Sequence, residues 1–225
     1  MISLRNIWKE YKIDKEITFT ALKNINLTIQ QGEFSSIMGP SGSGKSTLMH
    51  IIGLLDKPSK GTVSIGDKNV ERLNDDQLSS LRNEFIGFVF QQFNLINKLT
   101  VMENILLPTI YSRKSFDYDT KEKAIEIMKR VGILEKANSY PNRISGGQQQ
   151  RTAIARALIM NPKLILADEP TGNIDTKTGA EIMKLLKELN KEEKITIIVV
   201  THESAIAENT ERKIYIKDGE IVGKL

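Results

Sequence analysis

The chain has 225 residues, of which 40% are hydrophobic and 27% charged, so it can bury the core of one sizeable domain or two joined lobes and is neither disordered nor fibrous. Its 32 Lys and Arg against 28 Asp and Glu give a net charge of +4. This mild excess is spread along the chain, so the charge does not indicate nucleic-acid binding.

The absence of cysteine excludes disulfides, thiolate metal sites and thiol nucleophiles, and two histidines leave little for a histidine metal cluster. The longest apolar runs fall far short of the ~20 residues of a membrane helix. The charged first residues lack the apolar block of a signal peptide. We therefore expect a soluble, cytosolic chain.

Short β-branched runs predict strands along the chain, at residues 25–29, 33–38, 62–65, 86–90, 163–167, 195–200 and 213–216. The second, fifth and sixth of these runs are almost continuously apolar, which is typical of parallel strands buried on both faces. The segments 2–29 and 61–66 alternate more and favour antiparallel pairing.

Helical periodicity indicates core-facing stripes between these strands, formed by Ala124, Ile127, Met128 and Val131 and by Ile182, Leu185, Leu186 and Leu189. Residues 91–160 lack strong strand patterns and contain three helical stretches. We predict an α/β body built from residues 1–90 and 161–225, with residues 91–160 inserted as a helical lobe.

A glycine-rich loop follows the second predicted strand and leads into the helical run 48–55. It satisfies the pattern G-x-x-x-x-G-K-[ST] with Gly39, Pro40, Ser41, Gly42, Ser43, Gly44, Lys45, Ser46 and Thr47. The backbone N–H groups of such a loop surround a β-phosphate, while Lys45 offers a charge to the β and γ oxygens and Ser46 a hydroxyl ligand for Mg²⁺. The alternative is a Gly/Ser-rich turn, which the full match disfavours.

Two carboxylates, Asp168 and Glu169, close the apolar run 164–167. A buried strand that ends in two carboxylates predicts a cation beside them. Asp168 fits the role of holding Mg²⁺ through its waters, and Glu169 that of polarising an attacking water. Taken alone, the two carboxylates are as readily explained as a solvated strand end as they are by a cation site. The presence of the phosphate loop favours the cation site.

A second candidate anion site precedes the helical stretch 149–158 and consists of Ser145, Gly146, Gly147 and Gln148. It combines a hydroxyl, backbone N–H groups and the positive end of a helix. The alternative is a glycine-containing helix cap. One chain rarely needs two phosphate sites for one nucleotide.

The loop at 39–47, the segment at 144–148 and the run at 164–169 together resemble, in order, the nucleotide-binding subunit of an ABC transporter. The resemblance covers essentially the whole chain. It implies a P-loop NTPase of the ABC ATPase fold, an α/β protein with a mixed sheet core, an N-terminal antiparallel β subdomain and an inserted helical subdomain. Residues 1–225 would form one ABC ATPase domain that binds ATP and Mg²⁺ and hydrolyses ATP.

Single residues gain roles from this resemblance. Gln91 resembles the glutamine that senses Mg²⁺ and the γ-phosphate, His202 resembles the switch histidine, and Asp175 lies in the segment called the D-loop. Tyr11 resembles the aromatic residue that stacks on adenine.

Two further aromatic residues, Trp8 and Phe19, are neighbouring alternatives for this adenine-stacking role.

Within the family, the segments 89–96, 145–151 and 167–173 resemble the MacB/LolD/FtsE-like branch. Many systems of that branch are thought to act on peptides, lipoproteins or cell-wall enzymes outside the cytoplasm. Ile144 and Ile174 stand where leucine is usual, which changes no polar group. Because the sequence ends at Leu225, soon after the last predicted strand, we expect the permease to be a separate polypeptide or this chain to have been cut from a longer one.

The segment 144–148 resembles the signature motif of the family. The resemblance also implies a shared site, because the signature serine, Ser145, would lie too far from the phosphate loop of its own chain. A second copy would complete it as a head-to-tail homodimer, with two ATP molecules held between Lys45 of one subunit and Ser145–Gly147 of the other. The apolar segments 93–96 and 101–102 are either lobe core or the surface that contacts an integral membrane permease. The chain would then be peripheral on the inner face of the cell membrane.

Two alternatives come from other classes. A soluble ABC-type ATPase acting on nucleic acid or ribosomes usually has a coiled-coil insertion or two tandem cassettes, and this sequence has neither, so no nucleic-acid partner is expected. A P-loop kinase would lack Ser145–Gln148, and a GTPase would need an N-K-x-D motif that is absent from the sequence.

Overall fold

The computed structural model describes residues 1–12, 14, 17–66, 68–113 and 115–224, and Leu225 lies outside this part. Its strands, β1 to β10 in chain order, are Ile2–Lys12, Thr18–Ile29, Phe34–Met38, Lys60–Ile65, Lys68–Asn69, Ile86–Val89, Leu164–Asp168, Thr196–Thr201, Arg212–Lys217 and Glu220–Val222. Its α-helices, α1 to α7, are Lys45–Ile52, Asp75–Phe85, Val101–Ile110, Thr120–Val131, Gly146–Leu158, Thr176–Glu193 and Ser204–Ala207. Short 3-10 turns are Val70–Arg72, Leu134–Lys136 and Pro141–Arg143.

The described strands form two sheets. One is antiparallel, in the order β2-β1-β4-β5. The other has the order β10-β9-β3-β8-β7-β6, in which β9 to β6 are parallel and β10 is an antiparallel edge strand. The predicted α/β fold with a mixed sheet and an N-terminal antiparallel sheet is confirmed. The predicted strand at 25–29 begins earlier than expected, at Thr18, and its first half combines exposed Thr18 and Phe19 with buried Ala21 and Leu22.

Strand β7 shows how the parallel sheet divides the core. Leu164 and Leu166 pack into the cluster that also contains the antiparallel sheet and α1. Ile165 and Ala167 point to the opposite face and join the cluster formed with α3 to α6. Because successive side chains of a strand alternate between faces, a central strand covered on both sides must be apolar throughout.

Residues 91–160 contain the three α-helices α3, α4 and α5, which pack on one another, and α5 also packs on β6. At that contact the backbones approach closely, since a Cβ atom added at Gly87 would lie 2.6 Å from the carbonyl oxygen of Ala157. The boundaries 1–90, 91–160 and 161–225 stay a prediction. No helix among the described residues has the length and apolar content needed to cross a bilayer.

Helix α2 has no counterpart among the predicted elements. Its apolar periodicity is weak, and Leu78 is its one buried residue. The helix is instead started by a capping box, in which Asn74 Oδ1 accepts from Gln77 N–H at 2.9 Å and Gln77 Oε1 accepts from Asn74 N–H at 3.0 Å.

Candidate functional site

The phosphate loop borders a cavity of about 600 Å³ at the carboxyl ends of the parallel strands. Strands β3, β8 and β7 are neighbours, so the segments that follow them meet at this edge. The cavity is lined by Phe19, Ala21, Pro40, Ser41, Gly42, Gly44, Lys45, Ser46, Thr47, Gln91, Asp168, Glu169 and His202. Residues from distant parts of the sequence are therefore brought together around one cavity.

The conformation of the loop depends on its glycines. Gly42 and Gly44 have φ of 76° and 105°, a left-handed region that other residues rarely adopt. A Cβ atom at Gly39 would lie 2.2 Å from the carbonyl oxygen of Ile216. The loop thus reaches the N-terminus of α1, where the first N–H groups of the helix have no partner within the helix and can bind an anion.

Lys45, the first residue of α1, is 9% exposed. Its Nζ donates hydrogen bonds to the carbonyl oxygens of Gly39 at 2.8 Å and Pro40 at 2.9 Å. Burial lowers the pKa of Lys45, and the charges of Glu169 and Asp168 partly offset that effect. The ammonium is held inside the loop, where it can contact a bound phosphate.

Asp168 ends β7 inside the cavity. Burial raises its pKa, the neighbouring Glu169 raises it further, and His50 and Lys45 act in the opposite direction. Two adjacent carboxylates in a partly buried site fit a bound cation. The described residues contain no group of three or more His, Cys, Asp or Glu that could hold a metal, so a Mg²⁺ ion here would also need oxygens from a hydroxyl, an amide or a nucleotide.

Glu169 follows Asp168 with a left-handed backbone, φ 42°. Its N–H donates to the carbonyl oxygen of Val200 at 2.9 Å, and its own carbonyl accepts from Gly172 N–H at 3.0 Å. His202 Nδ1 lies 2.6 Å from Glu169 Oε1. Since a carboxylate only accepts, the imidazole N–H donates this hydrogen bond.

Gln91 lines the cavity and is followed by an unusual turn. Phe93 and Asn94 both have left-handed φ, 59° and 49°. The guanidinium of Arg156 on α5 donates to the carbonyl oxygens of both residues, at 2.8 Å to Phe93. Burial lowers the pKa of Arg156. No role for Arg156 was predicted from the sequence, although an arginine within the otherwise apolar run 153–158 was a usable signal.

The segment Ser145–Gln148 does not line the cavity that contains Lys45. Exposed Ser145 is the N-cap of α5, where its Oγ accepts from Gln148 N–H at 3.3 Å and Gln148 Oε1 accepts from Ser145 N–H at 3.0 Å. Gly147 packs directly on α6, since an added Cβ would lie 2.4 Å from Thr178 Cγ2. The two candidate anion sites of one chain are separate.

Tyr11 also lies outside the set of cavity-lining residues. Its hydroxyl donates to Asp56 Oδ2 at 2.9 Å. Lys9 Nζ donates to Asp56 Oδ1 at 2.6 Å and lies 4.8 Å from the centre of the Tyr11 ring. Phe19 is the cross-strand partner of Tyr11, is half exposed and lines the cavity. Stacking of adenine on Tyr11 stays a prediction, and Phe19 is the alternative that the cavity favours.

Asp175 is exposed and acts as the N-cap of α6. Its carboxylate accepts from Thr178 N–H at 3.0 Å and from Thr178 Oγ1 at 2.6 Å. These hydrogen bonds lower the pKa of Asp175. Its contacts within one chain are those of a helix cap, and a role in nucleotide binding stays a prediction.

The model of the family described as ABC transporter matches residues 22–172. The chain belongs to the ABC transporter family. It is an ATP-binding subunit of that family and an ATPase, as its phosphate loop and paired carboxylates predict. The resemblance to the branch that includes MacB is confirmed by the relatives.

Relatives of this ABC transporter subunit match over nearly its whole length. It is 54% identical over 224 residues to "Uncharacterized ABC transporter ATP-binding protein MJ0796" of Methanocaldococcus jannaschii, covering 98% of this chain and 95% of the relative. It is 50% identical over 222 residues to "Macrolide export ATP-binding/permease protein MacB" of Chlorobaculum tepidum, covering 99% of this chain. The chain spans 34% of that longer relative.

Solved structures show the same ABC ATPase fold. The dimeric structure of a post-hydrolysis state of the ATP-binding cassette MJ0796 bound to ADP and Pi has a TM-score of 0.90 at 52% identity, covering 98% of this chain and 96% of that chain. The structure of cbiO1 from Clostridium perfringens, part of the transporter complex cbiONQ, has a TM-score of 0.85 at 31% identity, covering 98% of this chain and 86% of that chain.

Proposed function

We propose that this ATPase works as a head-to-tail homodimer with two ATP molecules between its subunits. The observation that carries the proposal is the separation of the two anion sites: Lys45 lies in the phosphate-loop cavity, while exposed Ser145 at the start of α5 does not line it. A second chain in reversed orientation can place its Ser145–Gly147 against the nucleotide. The dimeric structures of the relative MJ0796 support a homodimer.

The residues present fit Mg²⁺ together with ATP. Ser46, Gln91 and Asp168 offer oxygen ligands around one cavity. When bound there, the ion would neutralise charge on the phosphate oxygens. Glu169 would position and polarise the attacking water, and His202, held by Glu169, would contact the γ-phosphate.

We further propose that the subunit drives a membrane permease on a separate chain and is peripheral on the inner face of the cell membrane. A groove of about 520 Å³ between the sheet and the helical lobe is lined by Phe90, Asn94, Leu107, Tyr111 and other residues. It lies next to the apolar segment 93–96, which we expect to contact the permease.

The other segment expected to contact the permease, 101–102, is lobe core. Val101 is fully buried, and Met102 packs against the core cluster. The names of relatives such as "Macrolide export ATP-binding/permease protein MacB" support export of a drug-like substrate. A peptide or lipoprotein substrate, or work outside the cytoplasm, is what the resemblance to the MacB/LolD/FtsE-like branch implies.

Two inactive variants test the shared site. Lys45→Ala impairs the phosphate loop and Ser145→Arg blocks the signature, so each should be nearly inactive alone. Mixed, they can form a heterodimer with one intact site, and ATPase activity should return. The specific activity of the wild type should rise with protein concentration. A flat specific activity across the concentration at which ATP-dependent dimers form would show that one chain hydrolyses ATP unaided.

A further inference from the structure

Helix α5 carries a polar side chain, Gln150, to which the roles above assign nothing. It is fully buried, and its Nε2 donates to the carbonyl oxygen of Pro170 at 2.6 Å. Among the described residues its Oε1 has no hydrogen-bond partner. A leucine or methionine would fill this volume without the unpartnered Oε1, but it would remove the donor to the Pro170 carbonyl. The contact with Pro170 is therefore the feature that distinguishes Gln150 from a packing residue.

Pro170 belongs to the turn that presents Glu169 to the cavity. The left-handed backbone of Glu169 is a sparsely populated conformation that persists only when its surroundings hold it. The N–H and carbonyl of Glu169 are held by Val200 and Gly172. Gln150, on α5 of the helical lobe, donates to the next carbonyl along the chain, that of Pro170.

The same helix reaches the second anion site. Ser145 is the N-cap of α5, and Gln150 lies within its second turn. A helix with intact hydrogen bonds is a stiff element, so a small displacement of its first turn is passed to residues further along. A nucleotide that displaced Ser145 would therefore also move Gln150, whose side chain donates to the carbonyl next to Glu169.

We propose that Gln150 is a positioning residue for ATP hydrolysis: it orients the Glu169 carboxylate by fixing the carbonyl of Pro170, and it couples that orientation to the signature end of α5. The inference rests on the role proposed above for Glu169. It predicts an effect on turnover rather than on nucleotide affinity, because Gln150 does not line the cavity.

The test uses Gln150→Met in the full chain, since methionine has a similar length and no hydrogen-bond donor. We expect kcat to fall about tenfold or more while KM for MgATP stays within about twofold. In a Glu169→Gln background the same change should alter the residual single-turnover rate by less than about twofold, because the carboxylate that it orients is gone.

Thr152→Val is the matched control. Thr152 is equally buried on α5, but its hydroxyl donates within the helix, to the carbonyl of Gln148 at 2.8 Å. This variant should keep the wild-type kcat. A wild-type kcat for folded Gln150→Met would overturn the role of Gln150. So would a loss of kcat in Thr152→Val equal to that in Gln150→Met, or a loss of the single-turnover rate in the Glu169→Gln background as large as the loss in the wild-type background. Wild-type turnover of Glu169→Gln itself would instead contradict the proposed catalytic role of Glu169.

If Gln150→Met does not fold, Gln150→Glu replaces it. A protonated carboxyl can donate to the Pro170 carbonyl, whereas a carboxylate would repel it, and burial moves carboxyl pKa values towards neutrality. The kcat of Gln150→Glu relative to wild type should rise as the pH falls from about 9 to about 6. A ratio of the two kcat values that is the same at pH ~9 and at pH ~6 would contradict the proposal.

Discussion

His202 Nδ1 lies 2.6 Å from Glu169 Oε1, although 33 positions separate the two residues in the sequence. The pairing of β7 with β8 produces this contact, because Asp168 is in register with Val200 and each functional residue follows shortly after its strand. The imidazole is fixed by the same carboxylate that is proposed to polarise water.

Glu169→Gln should retain ATP binding and lose turnover by a factor of about 10² or more, because the phosphate loop and Asp168 remain while the basic carboxylate is gone. The variant should accumulate as an ATP-bound dimer. Light scattering with and without MgATP measures this accumulation, and a steady-state assay measures the rate. Turnover at the wild-type rate would remove Glu169 from its assigned role.

Tyr11→Ala should weaken ATP binding by about 1–3 kcal/mol and Tyr11→Trp should not, because any aromatic face can stack on a base. Phe19→Ala is the informative companion, since Phe19 lines the cavity and Tyr11 does not. Isothermal titration with a non-hydrolysable ATP analogue measures all three variants. If Tyr11→Ala binds the ATP analogue tightly and Phe19→Ala binds it weakly, Phe19 rather than Tyr11 is the residue that stacks on adenine.

Asp56 should make stability depend on pH in the acid range. Burial alone would raise its pKa, but hydrogen bonds from Lys9 and Tyr11 hold the pKa below its ordinary value. A carboxyl whose pKa is lower in the folded protein stabilises it above the unfolded pKa of ~4, and that contribution is lost as the pH falls through the folded value. The melting temperature of the wild type should therefore be higher than that of Asp56→Asn at pH ~7, and the difference between the two should shrink towards pH ~2.

The control for this measurement is Asp75→Asn, which removes an ion pair with Lys57 whose side chains are 69% and 92% exposed. Exposed pairs contribute little, so its melting temperature should stay close to that of the wild type at both pH values. A gap between wild type and Asp56→Asn that is the same at neutral and acid pH would mean that the charge of Asp56 is not what stabilises the fold.

Leu95→Asp should uncouple the ATPase from the proposed permease while the isolated subunit keeps nearly its full ATPase activity, because residue 95 lies outside the phosphate-loop cavity. Leu134→Asp is a control on the same lobe, since Leu134 is 36% exposed and does not line the groove next to Asn94. Transport and ATPase assays on the reconstituted complex measure the coupling. Unfolding of isolated Leu95→Asp would show that Leu95 is lobe core.

The sequence predicts local features of the site well and contacts between distant segments poorly. The phosphate loop and the carboxylates after β7 are recognisable because each works within a few consecutive residues. The contact between Tyr11 and Asp56 depends on how β1 lies beside the end of α1, and no spacing rule contains that information. Gln150 was visible in the sequence as one more glutamine after the signature, and only its burial against Pro170 sets it apart.

Helix α2 shows another limit of periodicity. A helix has a strong amphipathic pattern when it buries a whole face, and α2 buries one residue, Leu78. The pair Asn74 and Gln77 was the usable signal, because a capping box reports the start of a helix whatever the helix packs on.

The close approach of α5 to β6 restricts how cassettes of this kind can be recombined. With 2.6 Å between a Cβ at position 87 and the carbonyl oxygen of Ala157, no side chain fits between strand and helix. A chimaera that imports residues 91–160 from a relative therefore needs glycine at 87 in the recipient and a small residue at 157 in the donor. Chimaeras that meet this condition should keep the position of α5 on β6. In those that break it, the whole helical lobe should be displaced from the sheet.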